Sequence, residues 1–181
     1  MFGRISKTEK IYVVDNAIDY SGQEALFNFC RNSRYTFGHS ASSVSHQDLS
    51  RFVSNLTAEE LSRTHLDKLF QTLAKKHFGK DVEIDRSYIN IYFSNTPTGV
   101  HTDDDAPNAM SFLAFANPQW AVDWGGETQF FSDNLQEIKQ SIIPRGGRVV
   151  LFNSNIPHSA RAPSPLSTVP RFTVTIKGFL K

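Results

Sequence analysis

Three residues stand out first, because of the chemistry their side chains allow. His101 and Asp103 are separated by a single residue, and His158 lies far along the chain. On an extended segment, side chains at i and i+2 share a face, so an imidazole nitrogen and a carboxylate oxygen can reach one ion from one strand end. A distant imidazole then completes three ligands on one side of the ion and leaves the opposite side open. Two neutral imidazoles and one carboxylate suit Fe(II) and oxygen chemistry. The same three ligands could also hold zinc for hydrolysis.

Rigid elements must carry these residues. The stretch 88–93, Tyr-Ile-Asn-Ile-Tyr-Phe, reads as a strand running into the first pair. The stretch 146–152 reads as another, leading through Ile156 and Pro157 to His158. Both sites fall just past apolar strands, where loops carry function on a fixed scaffold. A further strand opens at Arg171. There Arg171, Thr173 and Thr175 alternate with Phe172, Val174 and Ile176. The polar face reads either as solvent-exposed or as the wall of an inward pocket. In the pocket, Arg171 would bind a carboxylate with its planar fork and Thr173 would add a hydroxyl. Gly125 and Gly126, between Trp124 and Glu127, permit a sharp turn or a close backbone approach, and a hairpin turn suffices to explain them. Asp104 and Asp105 are expected to be solvated or to sit behind the ligands, because another carboxylate would use up positions that oxygen needs. Arg161 is expected at the surface, with the pocket mouth as its alternative. Glu127 carries no sign of being a ligand.

At 181 residues the chain is most simply one domain with a sizeable core. Hydrophobic residues at 39% and charged residues at 20% fit a folded globular protein. Fifteen phenylalanines tilt the reading toward β structure. A formal net charge of +1 gives no strong pull toward nucleic acid or an acidic membrane surface, so no nucleic-acid partner is expected. Cys30 is the only cysteine, which excludes an intrachain disulfide and points to a reducing, cytoplasmic setting. No apolar run approaches the roughly 20 residues of a membrane span, and the first residues show no secretory pattern.

Along the chain, 11–14 reads as a short strand. Ser21 reads as the cap of a helix reaching about Arg31, and 35–37 as a strand. The Ser-rich stretch 38–48 reads as an ordinary surface loop, with a mobile lid as the alternative. Thr57 and Glu60 form a capping box that opens one helix through Phe78, stopped by Gly79. His65 and His77 on it are packing or surface residues. Strand candidates follow at 83–93, 109–116, 126–131, 138–143, 148–152 and 171–180, divided by Gly, Pro and Asn turns. The expected fold is α+β, mainly β, with helical and mixed support over 1–82 buttressing a jelly-roll core over 83–181.

The ordered set of His101, Asp103, the Gly125–Thr128 turn, the strand to Phe152, His158 and Arg171 with Thr173 resembles the Fe(II)/2-oxoglutarate-dependent dioxygenases, in particular their prolyl-4-hydroxylase-like branch. The resemblance covers roughly residues 85–181 and implies a double-stranded β-helix. It further implies Fe(II) on His101, Asp103 and His158. The distal carboxylate of 2-oxoglutarate would lie on Arg171 with Thr173, and Tyr92 or Tyr88 would hydrogen-bond the cosubstrate. Phe115 stands near where relatives can carry a tyrosine for that purpose. The gap from His158 to Arg171 is lengthened by the loop 162–170, which keeps Arg161 as a fallback. The implied reaction is hydroxylation of an aliphatic carbon with dioxygen. The substrate would be a peptide (as with peptidyl proline), an amino acid or another small molecule. Trp120, Trp124 and the Ser-rich stretch could line its entrance. The rival readings are a jelly-roll module that binds metal or 2-oxoglutarate without turnover, a purely structural jelly roll, and a zinc hydrolase.

Overall fold

The computed structural model describes residues 10–39, 51–96 and 98–181. In chain order the elements are β1 (Ile11–Val14), α1 (Tyr20–Asn32), β2 (Thr36–His39), β3 (Arg51–Leu56), α2 (Ala58–Arg63), α3 (Leu66–Phe78) and β4 (Val82–Tyr92). They continue with β5 (Ala109–Phe115), a single 3-10 turn at Val122–Trp124, β6 (Thr128–Phe131), β7 (Ile138–Ile142), β8 (Val149–Asn153), β9 (His158–Ala160) and β10 (Arg171–Leu180). Seven strands form one antiparallel sheet in the order β1-β8-β5-β10-β4-β3-β2, and β7-β6-β9 form a second, smaller one. This is the mainly β, two-sheet jelly-roll architecture expected from the sequence, with the helices as support.

Two apolar layers hold it together. One joins the helices to the large sheet: Leu26, Cys30, Phe70 and Leu73 meet Ile89, Phe112, Val174 and Ile176. The other lies against the small sheet and gathers Leu113, Phe115, Phe130, Ile142, Val150 and Phe152. Strands β5 and β10 are therefore buried on both faces; β5 reads as a near-continuous apolar run, whereas β10 alternates polar and apolar residues that are buried alike. No described helix is long and apolar enough to cross a membrane.

Local chemistry moved several boundaries. Asp19, not Ser21, caps α1: its Oδ1 accepts from Gly22 N–H at 2.7 Å, while the Ser21 hydroxyl donates to the same oxygen at 3.0 Å. The Thr57–Glu60 capping box forms, but the expected long helix breaks in two. Thr64 Oγ donates to the Leu61 carbonyl at 2.6 Å, and His65 turns left-handed at φ 59°. Gly79 ends α3 at φ 70°, the role read for it. Strand β3 has no counterpart in the sequence reading, and the Ser-rich stretch 38–48 lies mostly outside the described residues. The support region thus contributes β1, β2 and β3 to the large sheet as well as helices.

Candidate metal centre

Backbone hydrogen bonds set the positions of the first three residues. His101 and His158 form an isolated antiparallel bridge in which each N–H donates to the other's carbonyl at 2.9 Å. On the far side of β9, His158 pairs with Phe130 of β6. Asp103 N–H donates to the Ser154 carbonyl at 2.8 Å. The two histidines are therefore cross-strand neighbours, and Asp103 follows on the same short ladder.

The side chains converge. His101 Nε2 lies 3.6 Å from Asp103 Oδ1, and His158 Nε2 lies 3.5 Å from Asp103 Oδ2. One donor atom from each of the three residues falls within 4.8 Å of the others. Ligands held about 2.1 Å from one ion stand roughly 3–4 Å apart, so little adjustment is needed to close on a metal. The opposite ring nitrogens face carbonyl oxygens: His101 Nδ1 lies 3.1 Å from Gly99 O, and His158 Nδ1 2.8 Å from Ile156 O. A carbonyl only accepts, so Nδ1 carries the proton and the Nε2 lone pair faces the centre.

Two residues that sequence reasoning missed hold Asp103. The Ser111 hydroxyl donates to Oδ2 at 2.6 Å and meets Ser154 Oγ at 2.9 Å. Lys177 Nζ lies 2.7 Å from Oδ1, and its side chain is buried. Lys177 continues the alternation of Arg171, Thr173 and Thr175, so its inward direction was present in the sequence two residues further on. Asp104 and Asp105 stay outside the centre, bonded to Ala106 N–H and the Thr102 hydroxyl.

Electrostatics favour a neutral imidazole beside an ionised acid. Burial pushes the His158 ring down to about 4, although the Asp103 carboxylate pulls the other way. Burial alone would raise Asp103, yet its interactions with the His158 and His101 rings and with Lys177 hold it well below the usual carboxylate range. Burial likewise lowers Lys177, against the pull of Asp103. In the metal-free protein, acid must charge a buried ring. The unfolded chain binds that proton near pH 6.5 and the folded chain only near 4. This contribution to stability is full above about pH 6.5 and lost as the pH falls toward 4, reaching roughly 2 kcal/mol at pH 5. Urea unfolding of metal-free protein at pH 7.5 and pH 5 measures it. Equal midpoints, or a His158→Gln variant with the same pH dependence, would contradict it.

The polar face of β10 points inward. Arg171 is fully buried and its guanidinium carbon sits 5.2 Å from the centroids of both the Tyr92 and Phe115 rings. Phe115 thus offers the guanidinium a ring face where a tyrosine would offer a hydroxyl. Arg171 Nη2 donates to Thr128 Oγ at 2.9 Å, but Nε and Nη1 have no partner, and neither does Thr173 Oγ. Burial lowers the Arg171 guanidinium to about 10, with Tyr92 and then Glu127 opposing. Orphaned buried donors are rare in folded proteins, so these groups mark room for acceptors such as carboxylate oxygens.

The surroundings explain how so large a cation fits. Gly126 has φ 75°, and a Cβ there would stand 3.1 Å from Arg171 Cδ and 3.2 Å from the Trp120 ring. Trp120 Nε1 donates to Gly125 O at 2.9 Å, so this tryptophan props the glycine turn. The long loop before β10 is tethered: Asn117 Nδ2 donates to Pro170 O at 3.0 Å, and Phe172 N–H donates to Asn117 Oδ1 at 2.8 Å. Arg161, the fallback, is exposed and only its backbone engages Glu127.

Between the sheets lies a small, partly open cavity bordered by His101, Asp103, His158, Tyr88, Tyr92, Thr128 and Thr173. Tyr92 stands beside Arg171 in the β4–β10 register, whereas Tyr88 lies toward Lys177. Arg51, on the strand missing from the sequence reading, also borders this cavity.

The donor set fits a ferrous ion, and the unpartnered Arg171 and Thr173 groups fit the far carboxylate of a keto acid. Comparison with solved structures agrees in fold. A Pseudomonas putida prolyl-4-hydroxylase superposes with a TM-score of 0.69 at 17% identity, covering 96% of this chain and 94% of its own. A Trichoplax adhaerens prolyl hydroxylase, solved with a peptide fragment of a hypoxia-inducible factor, gives 0.72 at 18% identity, covering 95% and 84%. The epimerase SnoN of nogalamycin biosynthesis gives 0.71 at 14% identity, covering 94% and 78%, and has also been solved with Fe3+ and alpha-ketoglutarate. No curated protein sequence matches this one. The family model for the 2OG-Fe(II) oxygenase superfamily matches residues 30–176. A match over so much of its length makes the chain a member of that superfamily, a dioxygenase that uses Fe(II) and 2-oxoglutarate and shares its fold with the prolyl hydroxylases.

Proposed function

We propose that this dioxygenase hydroxylates an aliphatic carbon of an amino-acid substrate, either free or, as in peptidyl proline, within a peptide. In this reading His101, Asp103 and His158 hold the iron and Arg171 holds 2-oxoglutarate. The observation that carries it is Arg171: a fully buried guanidinium with two unpartnered nitrogens, bonded to Thr128 and set behind the wall, which Thr128 and Thr173 line, of the cavity that the three ligands share. When bound, iron and keto acid together supply oxidative decarboxylation to succinate, with one oxygen atom of dioxygen passing to the substrate.

The chain's own residues do the positioning. His101 and His158 present Nε2 because carbonyls hold their Nδ1 protons. Ser111 and Lys177 fix the orientation of Asp103. Thr128 fixes one edge of the Arg171 fork, leaving the others for a carboxylate, with Thr173 alongside. Tyr92, next to Arg171, is the better placed of the two tyrosines to donate to that end of the cosubstrate. The apolar walls at Leu113 and Phe115 keep water from the oxidising centre. Residues 1–181 work as one domain in this reading, since the sheet that carries the site draws strands from both halves. A lone, buried Cys30 suits a reducing compartment such as the cytoplasm.

The test is anaerobic loading with Fe(II) and 2-oxoglutarate, then an oxygen pulse with peptides, free amino acids and nucleosides. Succinate and substrate mass are followed together. One added oxygen atom on an amino-acid carbon, matched by succinate, is expected. Oxygen-independent turnover with zinc, or binding of 2-oxoglutarate without turnover across the panel, would overturn the proposal.

A further inference from the structure

Arg51 is a cation that iron and its cosubstrate leave unused. It opens β3, is 7% exposed, and borders the cavity directly, whereas Arg171 is sealed behind the wall. The sheet places Tyr92 between the two arginines, Arg51 on β3 to one side and Arg171 on β10 to the other. Two strand spacings then separate their Cα atoms, about 9.6 Å. Arg51 Nη1 donates to the Tyr92 hydroxyl at 3.2 Å, and its Nε has no partner. Among the described residues no carboxylate pairs with it.

The charge balance of the site points the same way. Among the described residues, Arg51, Arg171 and Lys177 stand with one buried acid, Asp103, and with the less buried Glu127 near Arg171. A ferrous ion brings two positive charges and 2-oxoglutarate two negative ones, so they cancel and positive charge remains. On the reading proposed above, both cosubstrate carboxylates are already assigned, one to iron and one to Arg171. The remaining fork calls for an anion of its own, since a buried guanidinium with an unpartnered Nε, held among the described residues by the hydroxyl and ring of Tyr92, is poorly satisfied.

We infer that Arg51 binds a carboxylate of the prime substrate, so that the enzyme acts on a small carboxylic acid, such as a free amino or hydroxy acid, in preference to an internal residue of a peptide. The inference rests on the iron and 2-oxoglutarate assignment and narrows its substrate class. Arg51 is then a specificity-determining residue, bonded to the substrate end remote from the iron.

The experiment uses the full chain, loaded anaerobically with Fe(II) and 2-oxoglutarate. Calorimetry compares matched pairs: L-proline with L-prolinamide, L-leucine with L-leucinamide, and lactate with lactamide. At least one acid should bind about tenfold or more tightly than its amide, the scale of a charge-assisted hydrogen bond. Arg51→Gln should abolish that preference. Arg51→Lys, which keeps the charge but loses the fork, should retain part of it and controls for folding. The affinity for 2-oxoglutarate in Arg51→Gln should stay within about threefold of wild type, below the effect of losing a charged contact. A panel without acid preference, or a preference that survives in Arg51→Gln, overturns the inference. So does a fall of about tenfold or more in 2-oxoglutarate affinity, which would assign Arg51 to the cosubstrate. Wild-type protein that fails to bind 2-oxoglutarate with Fe(II) overturns the parent reading as well. Normal 2-oxoglutarate binding without acid preference overturns this inference alone.

Discussion

His158→Ala should lose ferrous iron and, with it, oxygen-dependent succinate formation. Removing a group that merely orients a metal ligand weakens binding by about 10–100-fold, so removing a ligand should exceed about 100-fold. His158 is the better first target for a physical reason. Asp103 is paired with buried Lys177 at 2.7 Å, and deleting the acid takes this counter-charge from a buried ammonium. Breaking such a pair costs about 3–5 kcal/mol, so Asp103→Ala confounds lost ligation with lost folding. Asp103→Ala combined with Lys177→Met removes both charges and separates the two effects. It should fold and still fail to hold iron. Anaerobic titration with Fe(II), read alongside thermal unfolding and succinate release, checks both variants. Near wild-type iron affinity in His158→Ala would remove this residue from the metal centre.

The histidines and the acid were legible because their geometry is local at each end. A two-residue spacing on an extended segment fixes His101 and Asp103, and an apolar strand delivers His158. Sequence could not show that the two segments meet through a reciprocal backbone bridge, because that contact spans more than fifty residues. The alternation of β10 was legible too, but its direction was not. Inward and outward polar faces look alike until burial decides between them, and here Arg171, Thr173, Thr175 and Lys177 are all buried. Arg51 escaped notice for the same reason. The sequence Arg-Phe-Val-Ser-Asn-Leu has no clean alternation, because its site-facing arginine is polar and its outward Phe52 is apolar and part-exposed. A functional face inverts the pattern on which strand reading depends. The break at His65 was hidden by a different effect. Apolar positions continue in helical register across it, and only the side chain of Thr64 and the left-handed turn of His65 divide α2 from α3.

Arg171→Leu should weaken 2-oxoglutarate binding strongly while leaving the metal-free protein as stable as wild type, or more so. The two effects have opposite signs because they arise from different partners. In the ligand-free protein the guanidinium is fully buried, two of its nitrogens are orphaned, and burial lowers its pKa to about 10. A leucine in that space removes a desolvation penalty at the expense of one hydrogen bond to Thr128 and two ring contacts. Replacing buried charge by a well-packed apolar group is often neutral or stabilising. The cosubstrate, by contrast, would leave its own carboxylate unpaired in a dry wall, which costs about 2–5 kcal/mol, or roughly 30-fold to several thousandfold in affinity. Arg171→Lys should fall between, since an ammonium keeps the charge but cannot present a planar fork between the Tyr92 and Phe115 rings. Iron affinity in the absence of 2-oxoglutarate should not change in either variant, because Arg171 touches none of the three metal-facing side chains. Anaerobic titration of 2-oxoglutarate into the Fe(II)-loaded protein, paired with urea unfolding of the metal-free form, reads both signs. Cosubstrate affinity within about threefold of wild type in Arg171→Leu is less than one charge-assisted bond, and would send the search for the carboxylate anchor elsewhere in the cavity.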